Sequence, residues 1–149
     1  MAQTLFSITV EIPAPPGSVR RVMADVECWP EWTASVTRLK LLTPGPLRVG
    51  SRARIHQPGF PPAWWRITEL EMDRGFTWIS TVPGLRVTGA HWIKPAGNGC
   101  RATLSTHYEG WLRPLLVFCT RRVNERYLAM EANGLRARSL EIAAIRADA

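Results

Sequence analysis

The sequence is poor in the residues that usually announce chemistry. Its three cysteines, Cys28, Cys100 and Cys119, stand far apart, fit no metal-ligand spacing and leave one unpaired in any disulfide scheme. This argues against a zinc module or a disulfide scaffold, and a reduced, cytoplasmic setting is the simpler expectation. There are also three histidines, His56, His91 and His107, each on a different segment. The Gly-x-Ser-x-Gly elbow, the His-Glu-x-x-His motif, the phosphate loop and the Gly-x-Gly-x-x-Gly fingerprint are all missing. No metal, cofactor or activated nucleophile is therefore indicated. No segment approaches the roughly 18 apolar residues of a membrane span. The opening stretch MAQTLFSITVEIPAPP also lacks the basic and long apolar regions of a secretory signal.

Lysine is scarce as well, so nearly all the positive charge is arginine. The net charge is +7, and the arginines are spread from Arg20 to Arg146. Their densest group is Arg113, Arg121, Arg122 and Arg126, followed by Arg136 and Arg138. Spread this way, they read as a solvated helix face, and no specific nucleic acid is expected as a partner. With 149 residues, 46% apolar and 21% charged, the chain suits one domain, 1–149, with a sizeable core. Seven tryptophans is a high number and fits a large core or an aromatic-lined cavity.

The hydrophobic pattern changes period three times. Phe6, Ile8, Val10 and Ile12 alternate with polar residues, as in a half-buried strand. Pro13, Pro15 and Pro16 end it, and Pro16 suits the first turn of a helix that carries Val19, Val22, Met23 and Val26 on one side. Pro30 disfavours helical geometry at Trp29, so Trp29-Pro30-Glu31-Trp32 reads as a short turn or a single helical turn. Six short strands follow: Val36 to Leu42, Ser51 to Gln57, Ala63 to Met72, Phe76 to Val82, Leu85 to Lys94 and Cys100 to Glu109. Connections this short make neighbouring strands mostly antiparallel. From about Arg113 to Arg146, Leu112, Leu116, Cys119, Val123, Tyr127, Met130 and Gly134 recur at helical steps. About thirty helical residues reach roughly 45 Å, enough to cross a small domain. Gly134 is expected to kink this helix or to let it approach the sheet.

The stretch from Ile12-Pro13-Ala14-Pro15-Pro16 to Asp25-Val26-Glu27-Cys28-Trp29-Pro30-Glu31-Trp32 resembles the opening of the polyketide cyclase/dehydrase group of the START-like (SRPBCC) superfamily. Phe76-x-Trp78, Gly89-x-His91 and Thr103-x-Ser105, leading into Tyr108-Glu109-Gly110, agree with that group's later strands. The resemblance implies an α+β helix-grip fold, in which a seven-stranded antiparallel sheet wraps around the long C-terminal helix with a cavity between them. It leaves the chemistry open, because the superfamily holds carriers, sensors, cyclases and interaction partners.

Assigned by alternation, the inward face of the sheet carries Trp65, Ile67, Phe76, Trp78, Val87, Gly89, His91, Leu104 and Tyr108, and the helix adds Cys119, Val123 and Tyr127. With Trp29 and Trp32, these are the expected ligand-binding residues. His91 and Tyr108 are the candidates for moving a proton, and Glu131 either reaches His91 or faces solvent. Trp29 and Trp32, with the Pro58-to-Pro62 loop, fall where the superfamily's cavity commonly opens, as a gate or as a fixed plug. His56 and His107 fall out of phase and should face outward. Trp64 and Trp92 do too, which suggests a contact between two copies of the chain or an edge packed by loops. The leading expectation is a carrier or sensor for an aromatic, polyketide-like or lipid-like molecule. The alternatives are an aromatase/cyclase or dehydratase using the same cavity, and a protein-interaction module.

Overall fold

A computed structural model describes residues 6–147. β1 (Phe6–Ile12) is followed by α1 (Pro16–Ala24) and a 3-10 turn at Val26–Glu31. Six strands follow in sequence: β2 (Arg38–Leu41), β3 (Arg52–His56), β4 (Ala63–Glu71), β5 (Gly75–Val82), β6 (Leu85–Ala96) and β7 (Gly99–Glu109). The 35-residue helix α2 (Arg113–Ala147) closes the chain. All seven strands form one antiparallel sheet in the order β1-β7-β6-β5-β4-β3-β2. α2 lies against β1, β7 and α1. This is the helix-grip arrangement.

Local chemistry accounts for the element ends. Pro16 opens α1, where its missing N–H costs no hydrogen bond. Gly75 (φ +137°) turns β4 into β5, and a Cβ there would sit 1.9 Å from the backbone oxygen of His91. In β4 the register shifts between Ile67 and Glu69, so Thr68 is the extra residue of a bulge. The bulge keeps Trp65, Ile67 and Leu70 on the inner side and leaves Arg66 and Glu69 exposed.

The core runs from Phe6 and Ile12 through Val19, Val22 and Met23 of α1 to Leu128, Ala132 and Leu135 of α2. Ile67, Phe76 and Leu104, each at most 2% exposed, sit at its centre. Gly134 does not bring α2 against the sheet. A Cβ on it would come within 2.1 Å of the backbone oxygen of Trp32, so it admits the 3-10 turn against α2 rather than the sheet. His107 is buried although its phase pointed outward. Trp92, also out of phase, is partly buried and donates its indole N–H to Thr77 Oγ1 at 3.1 Å.

Candidate functional site: a cavity between sheet and helix

A cavity of about 370 Å³ lies between the concave face of the sheet and α2. Its wall residues are exposed at one end and buried at the other. Pro61, Pro62, Trp64, Thr81 and Val82 are exposed and mark the mouth. Trp29, Trp78, His91 and Glu131 are buried and mark the inner end.

The inner end is an aromatic cluster built around one imidazole. His91 stacks on Phe76 with ring centres 4.9 Å apart, and the rings of Trp29 and Trp78 meet it at 5.0 and 5.7 Å. Trp29 is 2% exposed and donates its indole N–H to the carbonyl of Met23 at 3.1 Å, so it stands at the inner end and not at the opening, where it was expected. Burial alone pushes the His91 pKa down to about 3, so the ring is neutral at physiological pH. Neither His91 Nδ1 nor Trp65 Nε1 has a hydrogen-bond partner. Gly89 lies beside this cluster, where a Cβ would meet the Trp78 indole at 2.9 Å, so the bare backbone makes room for that ring.

Two polar groups of α2 face this wall. Glu131 accepts a hydrogen bond from Ser35 Oγ at 3.1 Å, and Ser35 Oγ lies 2.8 Å from Thr33 Oγ1. Burial raises the Glu131 carboxyl to about 7, although the Ser35 hydrogen bond works in the opposite direction. Closer to the start of the helix, Asn124 Nδ2 donates to Tyr108 Oη at 2.7 Å and to Thr120 Oγ1 at 2.8 Å. This holds the Tyr108 phenol in place. At the mouth, Tyr127 donates its hydroxyl to the carbonyl of Pro58, and its ring meets Phe60 at 6.1 Å, tying the proline loop to α2.

Of the residues expected from the sequence, Trp29, Trp65, Trp78, Val87, Gly89, His91, Tyr108 and Tyr127 line the cavity. Ile67, Phe76 and Leu104 lie behind the wall as core. Three positions need correction. Trp32 turns away from the wall and packs against Gly134 of α2. Cys119 is exposed, and Val123 is half-buried but outside the lining. The physical reason is the 3.6-residue period. Carried back from Tyr127 and Leu128, it brings Asn124 and Thr120 inward and rotates Cys119 out. Asn124 and Glu131 line the cavity without having been expected as ligand contacts. Glu131 is four residues from both Tyr127 and Leu135 on the buried face, and that spacing was the available signal.

The side chains offer shape, a neutral imidazole, a phenol and a carboxyl that titrates near neutrality. They offer no activated nucleophile. The Glu31 and Asp25 carboxylates raise the Cys28 thiol to about 12, and burial raises Cys100. Among the described residues no three His, Cys, Asp or Glu side chains gather in a metal-binding group.

The family described as polyketide cyclase/dehydrase and lipid transport matches residues 3–139. The chain belongs to that family. No protein of curated function matches it. Solved structures share its fold at low identity. A protein from Thermus thermophilus is 22% identical with a TM-score of 0.71, over 91% of this chain and 96% of its own. Norcoclaurine synthase from Thalictrum flavum, solved with dopamine and hydroxybenzaldehyde, is 16% identical with a TM-score of 0.72, over 95% and 88%. The di-domain ARO/CYC StfQ from the steffimycin biosynthetic pathway is 14% identical with a TM-score of 0.71, over 97% of this chain and 51% of its own. Among the described residues no helix is long and apolar enough to cross a membrane.

Proposed function

We propose that residues 1–149 act as one domain that binds a small, largely hydrophobic molecule in this cavity, as a carrier or sensor. The observation that carries the reading is the cavity itself. At about 370 Å³ it is within the usual size range of small-molecule sites, and its wall is mostly aromatic and aliphatic with few polar groups. Burial of apolar ligand surface supplies the affinity. His91, Glu131 and Tyr108 fix the orientation of a ligand hydroxyl or carbonyl. Three cysteines without a disulfide fit a reducing, cytoplasmic setting. No nucleic-acid partner is needed.

Glu131 favours a second reading, an aromatase/cyclase or dehydratase. A carboxyl with a pKa near 7, facing the same space as a neutral imidazole, can give and take a proton at neutral pH. Similarity to an ARO/CYC protein and to norcoclaurine synthase supports reactions on aromatic or polyketide-like substrates in such a cavity.

Native mass spectrometry of the protein purified from its own source tests the first reading. An apolar molecule bound at one equivalent supports it and provides the compound to assay for turnover. An empty protein that also ignores a broad panel of hydrophobic ligands would sink it. Glu131→Gln then separates the two readings. In a carrier it changes affinity alone, and in an enzyme it abolishes turnover while binding persists.

A further inference from the structure

Large apolar side chains are left in solvent beside the cavity mouth. Trp111 is 78% exposed, Leu115 56% and Phe118 85%. Leu115 and Phe118, three residues apart, share one side of the first turns of α2, and Trp111 stands in the turn just before the helix. The Trp111 indole lies so close to Gly84 that a Cβ there would approach it to 2.6 Å. That contact joins the patch to the β5–β6 hairpin, whose Val82 is 53% exposed and lines the mouth. Three consecutive outward positions of this size exceed the scattered apolar residues of an ordinary surface.

The charge around the patch has one dominant sign. Along α2, Arg121, Arg122 and Arg126 follow the patch, all exposed, with Glu125 the one acidic residue among them. Arg122 follows Phe118 by one helical turn, on the apolar side. Arg121 lies over the Phe6 ring at 5.8 Å and 4.0 Å from Glu125. Apolar side chains rimmed by guanidinium groups match a bilayer containing anionic lipid, where the rings enter the headgroup boundary and the arginines meet phosphates. A second copy of this basic surface would bring like charges together.

We propose that the start of α2, with Trp111, Leu115, Phe118 and Arg122, docks this protein on the surface of a membrane containing anionic lipid, with the cavity mouth turned toward the lipid. This surface is exposed and basic whatever the cavity holds.

The test is co-sedimentation with phosphatidylcholine vesicles, with and without phosphatidylglycerol. The expected result is binding to the phosphatidylglycerol vesicles that weakens steeply with salt and is at least tenfold weaker for Phe118→Asp. Arg122→Glu, which leaves the apolar side chains intact, should weaken binding to the anionic vesicles and leave the neutral ones unchanged. Phe118 does not line the cavity, so Phe118→Asp should bind a hydrophobic ligand in lipid-free buffer as the wild type does. No binding to anionic vesicles at low salt overturns the proposal, as does equal binding by Phe118→Asp. A wild-type dimer that Phe118→Asp converts to monomer also overturns it, because a second copy would then own the patch.

Discussion

At the inner end of the cavity Trp29 is 2% exposed, while at the mouth Trp64 is 57% exposed and Val82 53%. Both ends are aromatic and aliphatic, yet they are held differently. Trp29 touches the rings of Trp32, Phe76, Trp78 and His91 and hydrogen-bonds the backbone of α1. The mouth is a proline loop between β3 and β4, tied to α2 by the Tyr127 hydroxyl and the Phe60 ring. The inner end is thus held by a ring cluster and a backbone hydrogen bond, and the mouth by a hydroxyl and one ring contact. This suits a site that selects at its base and adapts at its rim.

The largest expected effect tests this difference. Trp29→Ala should cost on the order of 3–5 kcal/mol in urea unfolding, because it empties a well-filled space. Phe60→Ala at the mouth should cost less than about 1 kcal/mol. Equal losses would mean that the loop is as rigidly packed as the base.

Next in size is the pH dependence of the two buried ionisable groups. Glu131 has its pKa raised from 4.5 to about 7 in the folded chain. Below 4.5 it therefore costs nothing, and stability falls as pH rises through about 7, by on the order of 3 kcal/mol in all. His91 has its pKa lowered from 6.5 to about 3, so it acts in the opposite sense, and stability falls as pH drops below 6.5 toward 3. Between 4.5 and 6.5 the two slopes oppose each other, and stability should be nearly flat there. Glu131→Gln should remove the loss at high pH, making the variant more stable than wild type near about pH 8 and similar to it near about pH 4. Thermal melts across that range would show it. An unchanged profile would place Glu131 in contact with water.

These two groups also mark what was legible in the sequence. The strands could be read because alternation and Pro/Gly turns agree, as in Phe6–Ile12 and at Asp73-Arg74-Gly75. Even the inward run from Trp65 to Tyr108 survived the bulge at Thr68, since the shift leaves Leu70 opposite Phe76. α2 was harder. Its first turns carry apolar residues on several sides, Leu115, Leu116, Val117, Phe118 and Cys119, because one side faces the sheet while another is left in solvent. Counting apolar steps there chose the wrong face at Cys119. Asn124 was hidden and Glu131 was left open between His91 and solvent for the converse reason, since polar residues on a buried face read as solvated until tertiary contacts are known. Trp29 and Trp32, three residues apart, part company because Gly134 opens a place for one of them on α2.

A smaller effect is expected at Gly89. Alanine there would force the Trp78 indole to move, because the new Cβ would meet it at 2.9 Å. That ring forms the wall of the inner end, so displacing it narrows the cavity and should reduce ligand affinity more than stability. Calorimetry of ligand binding beside a thermal melt would separate the two. A melt lowered with affinity intact would make Trp78 a core residue and not a wall.

The smallest effect should come from the tie at the mouth. Tyr127→Phe keeps the ring against Phe60 and removes the hydroxyl that holds the Pro58 carbonyl. One such hydrogen bond contributes about 1 kcal/mol net. Since the Pro58 carbonyl can turn to water, the stability loss should be no larger than that. The effect on ligand exchange should be clearer. If the loop is the moving part, releasing it should speed both entry and escape of ligand, and equilibrium affinity should stay nearly constant. Stopped-flow fluorescence of the cavity tryptophans reads both rates. Exchange unchanged in Tyr127→Phe would mean that the ligand enters without moving the loop, and the mouth would then be as fixed as the base.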